Sequence, residues 1–489
     1  MAENRRAEMP ENPEMPENPE MQAILEMQRR AFIDARPETL SVRRDRIKRA
    51  IALLVDHADA LCAAMSDDFG NRSISQSMMT DIVGSVNFGK YCLKHMGKWA
   101  RPEKRKMQFP LGLLGAKAQV RYQPKGVIGI MAPWNFPVQL SFNPLMQILA
   151  AGNRAMIKPS EFTEATSELM AKLMGQYFHP SEVAVITGGP AAAQAFSSLQ
   201  LDHLVFTGST ATGRKVMEAA GRNLVPVTLE LGGKSPVIVG RSADISKAGE
   251  RIALGKMMNA GQICLAPDYL MVPEENEDAV IEGVRRGVHK MYPALLDNDD
   301  YASVVTDQHF DRLQAMIDDA RSKGAQVIEI NPAKEDFSGT NARKMPLTIL
   351  RGVTQDMQAM REEIFGPVLP VMRYKAVDEA IDYINDHDHP LGLYYFGADV
   401  DEQERVLKRT VSGGVTINDV IFHVSMDDLP FGGAGPSGIG AYHGPEGFRQ
   451  FSHARSVYTQ PGLDIAALAG IKPPYGKKTA AVIAAQLKK

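Results

Sequence analysis

The thiol of Cys264 is the first candidate for covalent chemistry in this sequence. It lies in the segment 259–267 (NAGQICLAP), with Gly261 and Pro267 on either side. A cysteine attacks a carbonyl carbon as the thiolate, which forms at neutral pH only when a nearby charge or dipole lowers the pKa of the thiol. A loop cysteine can also be buried and inert, so the segment alone leaves both interpretations open.

Glu230 is a candidate general base. It comes directly after the largely apolar run 225–229, and Gly232 and Gly233 follow shortly after it. An ionised carboxylate at the end of an apolar strand is costly to bury, so its pKa would be raised and it could take a proton from water. A salt bridge between Glu230 and Lys234 or another cation is the competing interpretation.

Asn135 is a candidate donor to an oxyanion. Trp134 and Phe136 flank it, and Pro133 and Pro137 lie one position further out. Prolines restrict the backbone and the rings would shield the amide, so its N–H groups could be preorganised for a developing negative charge. The same pattern also suits an asparagine that only structures a loop.

A short loop and a lysine could bind a phosphate-containing ligand. The segment 208–213 (GSTATG) follows an apolar run and precedes a helix-forming segment, whose first N–H groups would suit a phosphate. It matches neither G-x-G-x-x-G nor the Walker A pattern. Lys158, at the end of another apolar run, could reach a ribose or phosphate oxygen. His387 and His389 have no further matching ligands nearby in the sequence, so we predict no metal site.

These candidates follow short β-branched runs that alternate with helix-forming segments. In the first half the runs are 127–131, 155–157, 183–186, 204–206 and 225–229. In the second half they are 269–272, 326–330, 368–374 and 414–417. Such alternation predicts parallel, doubly wound sheets, whose ligands bind beyond the carboxyl ends of the strands. We therefore predict an α/β fold of two such domains with a cleft between them.

The composition excludes several function classes. The 489 residues carry a net charge of −3, without the basic excess of a dedicated nucleic-acid binder. Three cysteines are too few for a disulfide scaffold and indicate a reducing compartment. No apolar run approaches the ~20 residues that cross a bilayer, and no secretory signal is visible. We expect a cytoplasmic protein without an integral membrane segment.

Two segments are expected to lie outside the main sheets. The hexapeptide EMPENP at 8–13 recurs at 14–19, and its prolines prevent helix and sheet pairing, so residues 1–20 are expected to form a disordered tail. The segment 106–124 has a glycine-rich centre followed by alternating residues, which indicates a hairpin. The hairpin could complete a sheet in a partner subunit or form a surface flap.

Six motifs occur together along the chain. They are 133–137 (PWNFP), 158–161 (KPSE), 206–210 (FTGST), 230–236 (ELGGKSP), 261–264 (GQIC) and 362–367 (EEIFGP). In this order, over residues 40–455, they resemble the aldehyde dehydrogenase superfamily. The segments 264–269 (CLAPDY), 429–433 (LPFGG) and 442–444 (YHG) are similar to its class 3 branch, and above all to the bacterial coniferyl-aldehyde dehydrogenases.

The resemblance implies a role for each catalytic candidate. Cys264 would attack the aldehyde as the thiolate, and the Asn135 amide with the Cys264 backbone N–H would hold the oxyanion of the thiohemiacetal. Hydride would pass to the nicotinamide, and Glu230 would activate the water that hydrolyses the resulting thioester. One difficult oxidation is thereby divided into two easier steps.

The resemblance also implies that the chain binds NAD, with NADP as an alternative. Lys158 and Glu161 would contact the adenine-side ribose, and Ser209 the pyrophosphate. Glu363 and Phe365 would contact the nicotinamide ribose and ring. The implied cofactor-binding residues are Lys158, Glu161, Gly208, Ser209, Gly213, Glu363, Phe365 and Trp134. Glu161 would favour NAD because it would repel the 2′-phosphate of NADP.

The family organisation divides the chain into a Rossmann-like NAD(P)-binding domain, a catalytic domain and an oligomerisation hairpin. The expected ranges are 21–105 with 125–232, 233–432, and 106–124 with part of the C-terminal segment 433–489. A homodimer is expected from the class 3 likeness and from the hairpin.

Two other functions compete with aldehyde oxidation. The same thiol could serve a cysteine-dependent esterase or hydrolase, although Lys158, Ser209 and Glu363 argue for a cofactor. The chain could also be a non-catalytic structural protein on this fold, which the joint presence of a cysteine, a glutamate and an asparagine in suitable settings argues against.

Overall fold

Helices and strands alternate along the chain in the computed structural model, which describes residues 18–109 and 111–487. In this part of the chain, helices α1 to α18 span Pro19–Asp34, Leu40–Asp56, Ala58–Phe69, Ile74–Ser77, Gly84–Trp99, Gln139–Ala151, Glu164–Tyr177, Pro190–Ser197, Thr210–Arg222, Ile245–Met257, Glu277–Met291, Asp307–Ser322, Gln358–Arg361, Val377–Asn385, Val400–Arg409, Gly444–Gln450, Ile465–Leu468 and Lys477–Gln486. Strands β1 to β16 span Glu103–Lys104, Lys117–Pro124, Val127–Met131, Arg154–Lys158, Val183–Val185, His203–Gly208, Val227–Leu231, Pro236–Val239, Tyr269–Pro273, Gln326–Ile330, Leu347–Arg351, Val368–Tyr374, Gly392–Phe396, Gly414–Ile417, Gly438–Ile439 and Ser452–Thr459.

Strands β3 to β7 form a parallel sheet, to whose edge β15 adds a short antiparallel strand. The order is β15-β7-β6-β3-β4-β5, so the chain winds outward from β3 in both directions. Ile130 of β3 pairs with Ile157 of β4 and with Val205 of β6. Every residue of β3 and β4 is buried, as expected for a parallel sheet covered on both faces. The predicted doubly wound sheet is confirmed for this half of the chain.

Strands β8 to β14 form a second sheet, in the order β10-β11-β12-β9-β8-β13-β14. Its strands are parallel, apart from β10, which pairs antiparallel with β11. The chain passes from the first sheet to the second through residues 232–235, between β7 and β8. The second doubly wound sheet is therefore also confirmed.

A small antiparallel sheet in the order β1-β2-β16 lies apart from the two large ones. The predicted hairpin over 106–124 supplies only one of its strands, β2, whose partners are β1 and the distant β16. The loop before β2 uses its backbone groups locally, because the N–H groups of Leu114 and Ala116 both bond to the carbonyl of Leu111. A hairpin is therefore present, formed by the consecutive antiparallel strands β1 and β2, but its first strand lies before residue 106.

The first described helix begins inside the predicted tail. Residues 1–17 of that tail lie outside the described residues. Helix α1 begins at Pro19, and the side chain of Asn18 accepts from the N–H of Met21 at 3.1 Å. Proline is favoured in the first helical turn, where it lacks only a hydrogen bond that the helix does not make. The expected boundary at residue 20 is therefore two residues too late.

Helices on both faces of the large sheets enclose the core. Cys62 on α3 and Cys92 on α5 are completely buried and belong to this core. Among the described helices, none has the length and apolar character needed to cross a membrane.

Candidate active site

The backbone before Cys264 has an unusual conformation. Asn259 and Ala260 have φ of 49° and 51°, and Gly261 has φ of 74°, so three consecutive residues are left-handed. This conformation costs a residue with a Cβ about 1–2 kcal/mol, and such strain is concentrated at functional sites. The turn ends α10 and leads the chain to Cys264, which is partly exposed, unlike the other two cysteines.

The side chain of Gln262 fixes this segment. Its Nε2 donates to the carbonyl oxygens of Asn259 at 2.9 Å and Ser303 at 3.0 Å, and its Oε1 accepts from the N–H of Val305 at 2.9 Å. Asn135 Nδ2 donates to the carbonyl of Gln262 at 3.2 Å. Asn259 Nδ2 donates to the carbonyl of Asn135, also at 3.2 Å. The loop of Asn135 and the segment before Cys264 are therefore held against each other.

Glu230 lies on β7, opposite Thr207 of β6 and Gly438 of β15. It is 2% exposed, and neither carboxyl oxygen has a hydrogen-bond partner among the described residues. Burial raises the pKa of Glu230 well above its ordinary value. The competing interpretation, a salt bridge to Lys234 or another cation, is wrong, because Lys234 pairs with Asp268 and the Glu230 oxygens have no partner among the described residues.

The thiol of Cys264 lies among acidic groups. Burial raises its pKa to about 12, and the carboxyl groups of Glu363 and Glu230 act in the same direction. Burial, Glu230 and Cys264 also raise the pKa of Tyr442, whose phenol lies near both groups. The thiol is therefore protonated at neutral pH, and a base must remove its proton before it can attack.

Glu363 reaches the end of β7 because a glycine leaves room for it. A Cβ on Gly232 would overlap the Glu363 carboxyl group. Burial, followed by the charge of Asp268, raises the pKa of Glu363 to about 8. Asp268 also accepts from the N–H of Ile364 at 2.9 Å, and Arg312 donates to the carbonyl of Glu363 at 3.2 Å. These contacts fix the loop that carries Glu363 and Phe365.

Other cofactor candidates follow the carboxyl ends of β4 and β6. Lys158 is buried at the end of β4, where its Nζ donates to the carbonyl of Pro159 at 2.6 Å and lies 3.5 Å from Glu161 Oε2. Ser209 precedes α9, and its hydroxyl accepts from the N–H of Thr212 at 3.3 Å. A helix start is thereby placed at the same sheet edge as the lysine.

Gly213 allows this helix to pack closely on the sheet. A Cβ on Gly213 would lie 2.6 Å from Leu231 of β7. Gly208, the last residue of β6, leaves room for the Phe206 ring, because a Cβ there would lie 2.5 Å from it.

Aromatic contacts join the loop of Trp134, the loop of Phe365 and helix α12, which carries His309. Trp134 packs edge-on against Phe365 and His309, with ring centroids 5.3 Å and 5.1 Å apart. His309 in turn packs edge-on against Phe162 at 5.5 Å. Sequence reasoning missed His309, because a single histidine in the polar helix α12 belongs to no recognisable motif.

Lys256, near the end of α10, is a second residue that sequence reasoning missed. It is completely buried, and its Nζ has no hydrogen-bond partner within the described part of the chain. Burial lowers its pKa to about 8, an effect that Asp268 opposes. Lysines are ordinarily exposed, so nothing in the local sequence marks this one.

The segment 387–389, for which the sequence predicts no metal site, lies in a largely exposed loop. His387 Nδ1 lies 2.7 Å from the carbonyl oxygen of Tyr383. Within residues 18–109 and 111–487, no three His, Cys, Asp or Glu side chains are grouped as metal ligands.

The groups at the carboxyl edge of the first sheet fit a dinucleotide. Winding reverses at β3, and open α/β sheets bind ligands at such a point. Lys158 and Glu161 offer a donor and an acceptor suited to ribose hydroxyls, and the start of α9 offers N–H groups suited to a pyrophosphate. Trp134 and Phe365 offer rings that can contact a nicotinamide.

Comparison with known proteins identifies the family. Residues 12–457 match the model of the aldehyde dehydrogenase family. The chain belongs to the aldehyde dehydrogenase family. Its activity is therefore the NAD(P)-dependent oxidation of an aldehyde, and the hydrolase and non-catalytic alternatives are not favoured.

Individual aldehyde dehydrogenases resemble the chain over most of its length. A probable coniferyl aldehyde dehydrogenase of Caulobacter vibrioides is 53% identical over 467 residues, 95% of this chain and 96% of that protein. A coniferyl aldehyde dehydrogenase of a Pseudomonas species is 50% identical over 453 residues, 93% of each chain. Aldehyde dehydrogenase family 3 member A2 of Mus musculus is 38% identical over 431 residues, 87% of this chain and 86% of that protein. The substrate-bound AldH of Staphylococcus aureus has a TM-score of 0.88 at 34% identity, covering 96% of this chain and 99% of that one. The expected likeness to class 3 enzymes and to coniferyl-aldehyde dehydrogenases is confirmed.

Proposed function

We propose that this aldehyde dehydrogenase oxidises coniferaldehyde and related aromatic aldehydes, with Cys264 as nucleophile, Glu230 as general base and Asn135 as oxyanion donor. The observation that carries the proposal is a partly exposed thiol near a buried carboxyl group that has no hydrogen-bond partner among the described residues. An unpaired buried carboxyl group is costly to the fold. Thioester hydrolysis is the step that uses it.

The first step makes a bond between the Cys264 sulfur and the aldehyde carbon. The Glu230 carboxylate takes the thiol proton and passes it to solvent, the sulfur attacks as the thiolate, and the carbonyl π electrons move to oxygen. Asn135 Nδ2 gives one N–H to the carbonyl of Gln262 at 3.2 Å, and its second N–H donates to the new oxyanion together with the Cys264 backbone N–H. Donors that are fixed beforehand stabilise the charge as it develops.

The cofactor is held along the carboxyl edge of the first sheet. Lys158 and Glu161 bind the adenine-side ribose, Ser209 and the start of α9 bind the pyrophosphate, and Glu363 with Phe365 contacts the nicotinamide side. Bound NAD(P)⁺ supplies the acceptor for the hydride of the aldehyde carbon. Glu161 repels a 2′-phosphate, so NAD is preferred to NADP.

The second step hydrolyses the thioester left on Cys264. Glu230 takes a proton from water while the water oxygen bonds to the thioester carbon. The C–S bond then breaks, its electron pair returns to sulfur, and the carboxylic acid leaves. Because Glu230 makes no other hydrogen bond in the described structure, its carboxylate is available to orient this water.

Two observations support an aromatic substrate. The two bacterial relatives that share half or more of the aligned sequence are named for coniferyl aldehyde. Phe431 packs against Tyr442 at 5.8 Å and against His443 at 5.5 Å, and the Tyr442 phenol lies near the Cys264 thiol. Flat apolar rings favour packing against another aromatic ring.

The protein acts as a homodimer in this proposal. Strand β16 is the outer strand of the small sheet and pairs only with β2 among the described residues. A long unpaired edge is ordinarily covered or blocked in a native protein, and the corresponding surface of a second copy can cover it.

The test compares coniferaldehyde, benzaldehyde and hexanal, each with NAD⁺ and with NADP⁺, by the formation of reduced cofactor. We expect the highest kcat/KM with coniferaldehyde and NAD⁺. Equal or higher kcat/KM with hexanal would contradict the aromatic preference, and equal use of both cofactors would contradict the role of Glu161.

Matched cysteine variants test the nucleophile in the same assay. Cys264→Ala is expected to abolish turnover, because no other thiol lies at the site. Cys62→Ala and Cys92→Ala remove buried core thiols and are expected to lower stability by about 1 kcal/mol while turnover persists. Loss of turnover in Cys92→Ala, with Cys264→Ala still active, would overturn the assignment.

A further inference from the structure

A buried ion pair lies behind the loop that carries Asn135. Arg72 donates to Asp81 Oδ2 at 2.8 Å, and both side chains are completely buried. Asp81 belongs to the π-helical turn Met78–Val83, a local widening of the helix that is frequent at functional sites. The reaction steps proposed above use neither residue.

Asp81 holds the start of the helix that follows the loop. Its Oδ1 accepts from the N–H of Gln139 at 3.1 Å, and its Oδ2 also accepts from the hydroxyl of Thr80 at 3.0 Å. Gln139 is the first residue of α6 and lies four positions after Asn135. A carboxylate satisfies the unpaired N–H groups and the positive dipole end of a helix start. The position of α6 relative to the loop is thereby fixed.

Arg72 holds the rings on both sides of Asn135. Its guanidinium lies 5.1 Å from the ring centroid of Phe136 and 5.1 Å from that of Phe69. The Phe69 ring in turn lies 6.0 Å from that of Trp134. Because Trp134 and Phe136 are the chain neighbours of Asn135, the guanidinium restrains the loop before and after the amide.

Stability alone does not account for this arrangement. A buried ion pair is frequently no more stable than apolar side chains of the same volume. A planar guanidinium between two rings, paired with a carboxylate, instead specifies one orientation for everything it touches. Of the two rings that it contacts, Phe136 adjoins Asn135 in the chain, and Phe69 contacts Trp134 on the other side of the amide.

We propose that Arg72 and Asp81 are positioning residues that orient the Asn135 amide toward the oxyanion. The proposal rests on the oxyanion role given to Asn135 under the proposed function. Both residues act through Asn135 and touch neither the aldehyde nor the cofactor. Their removal therefore lowers the rate only as far as Asn135 contributes to it.

A double-mutant cycle tests this dependence through kcat/KM for the aldehyde at saturating NAD⁺. Asn135→Ala is expected to lower kcat/KM by about 10²–10³-fold, and Arg72→Met by about 10–100-fold through misplacement of the amide. The double variant is expected to match Asn135→Ala within about twofold, since residues that act as one unit are not additive. A purely structural role of Arg72 would lower kcat/KM by the same factor in both backgrounds.

Asp81→Asn repeats the cycle if Arg72→Met does not fold. This substitution keeps an oxygen for the N–H of Gln139 and replaces Oδ2, which accepts from Arg72 and Thr80, with an uncharged NH₂ group. Arg46→Met is the matched control, because Arg46 is also buried and paired, with Glu38 at 2.7 Å and Glu182 at 2.8 Å, and neither partner belongs to the loop 133–137. It is expected to keep the kcat/KM of the wild type.

The outcomes separate the two proposals. If Asn135→Ala leaves kcat/KM unchanged, the oxyanion role fails and the positioning role fails with it. A second outcome is that Asn135→Ala lowers kcat/KM as expected. If Arg72→Met or Asp81→Asn then lowers kcat/KM by the same factor with and without Asn135→Ala, or has no effect, only the positioning role is overturned. Equal losses in Arg46→Met would likewise show that any buried ion pair has this effect.

Discussion

Glu230 combines two properties that ordinary structural carboxylates lack. It is buried on a strand of the central sheet, and its oxygens bond to no group in the described residues. Burial raises its pKa, so it holds its proton to a higher pH than an exposed glutamate. The carboxylate that forms above this pKa is poorly solvated and is a correspondingly stronger base.

Glu230→Gln is expected to stop the reaction at the acyl-enzyme. The amide has the same shape but cannot take a proton from water, so kcat should fall by about 10²–10⁴-fold. The intact mass after mixing with aldehyde and NAD⁺ should increase by the acyl group. Glu277→Gln, which replaces another 2%-exposed glutamate, should hydrolyse its acyl-enzyme normally.

The pH dependence of thioester hydrolysis in the wild type provides a second test of Glu230. Because the pKa of Glu230 is raised above its ordinary 4.5, the rate of thioester hydrolysis should increase with pH above that value, as the carboxyl group ionises. The increase should be missing in Glu230→Gln. An unchanged steady-state rate with no gain in mass would remove Glu230 from the role of base.

At the scale of elements, the left-handed turn 259–261 determines where Cys264 lies. A Cβ on Gly261 would lie 2.5 Å from the carbonyl oxygen of Gly366, in the loop that follows Glu363 and Phe365. This close backbone contact therefore joins the segment that leads to Cys264 with the loop that carries Glu363 and Phe365. A displacement on either side of this contact moves the other.

Gly261→Ala is expected to lower kcat/KM by about 10²-fold, because the added Cβ would displace the Cys264 segment. Gly339→Ala is the control, since Gly339 has the same φ of 74° with open space around its Cβ position. The left-handed φ should cost both variants about 1–2 kcal/mol of stability, measured by thermal unfolding, and Gly261→Ala should cost more because of the overlap with Gly366. If both variants lose kcat/KM to the same extent, or if neither variant loses it, the contact between Gly261 and Gly366 does not position Cys264.

Strand prediction from the sequence succeeded for several runs that contain β-branched residues, but it missed β8, where Val237, Ile238 and Val239 are all β-branched. The runs 127–131, 326–330, 368–374 and 414–417 coincide with β3, β10, β12 and β14. Strand β13 was missed because Gly392–Phe396 contains no β-branched residue. Strand β16 was missed because its side chains are mostly polar and exposed. Both segments are strands because of their neighbours, which local patterns do not contain.

The same limit applies to the candidate site. Cys264, Glu230 and Asn135 could be selected because each is a polar residue among glycines, prolines or apolar residues. Arg72 and Lys256 carry no such mark, since arginine and lysine are ordinarily exposed. Only the packing of distant segments buries them and gives them a place beside the site.

At the scale of the whole molecule, the C-terminal segment connects the site to the outer surface. Strand β15 pairs with β7, so that Gly438 lies opposite Glu230. Strand β16 then pairs with β2 from Ser452 opposite Pro124 to Thr459 opposite Lys117. One continuous segment therefore adds strand β15 to the edge of the sheet that carries Glu230. It then supplies β16, the outer strand of the small sheet, which pairs only with β2 among the described residues.

The small sheet is where a homodimer is expected to form. In the loop before β2, Phe109 is 86% exposed and Leu113 is 80% exposed, and exposed apolar side chains favour association. The wild type should have twice the chain mass of 53.6 kDa by light scattering, and Phe109→Asp with Leu113→Asp should shift it toward a single chain. Leu224→Asp, at a 90%-exposed position after α9, should leave the mass unchanged. A wild type with the mass of one chain would show that the dimer is wrong, whereas a dimer that survives both aspartates would place the interface elsewhere.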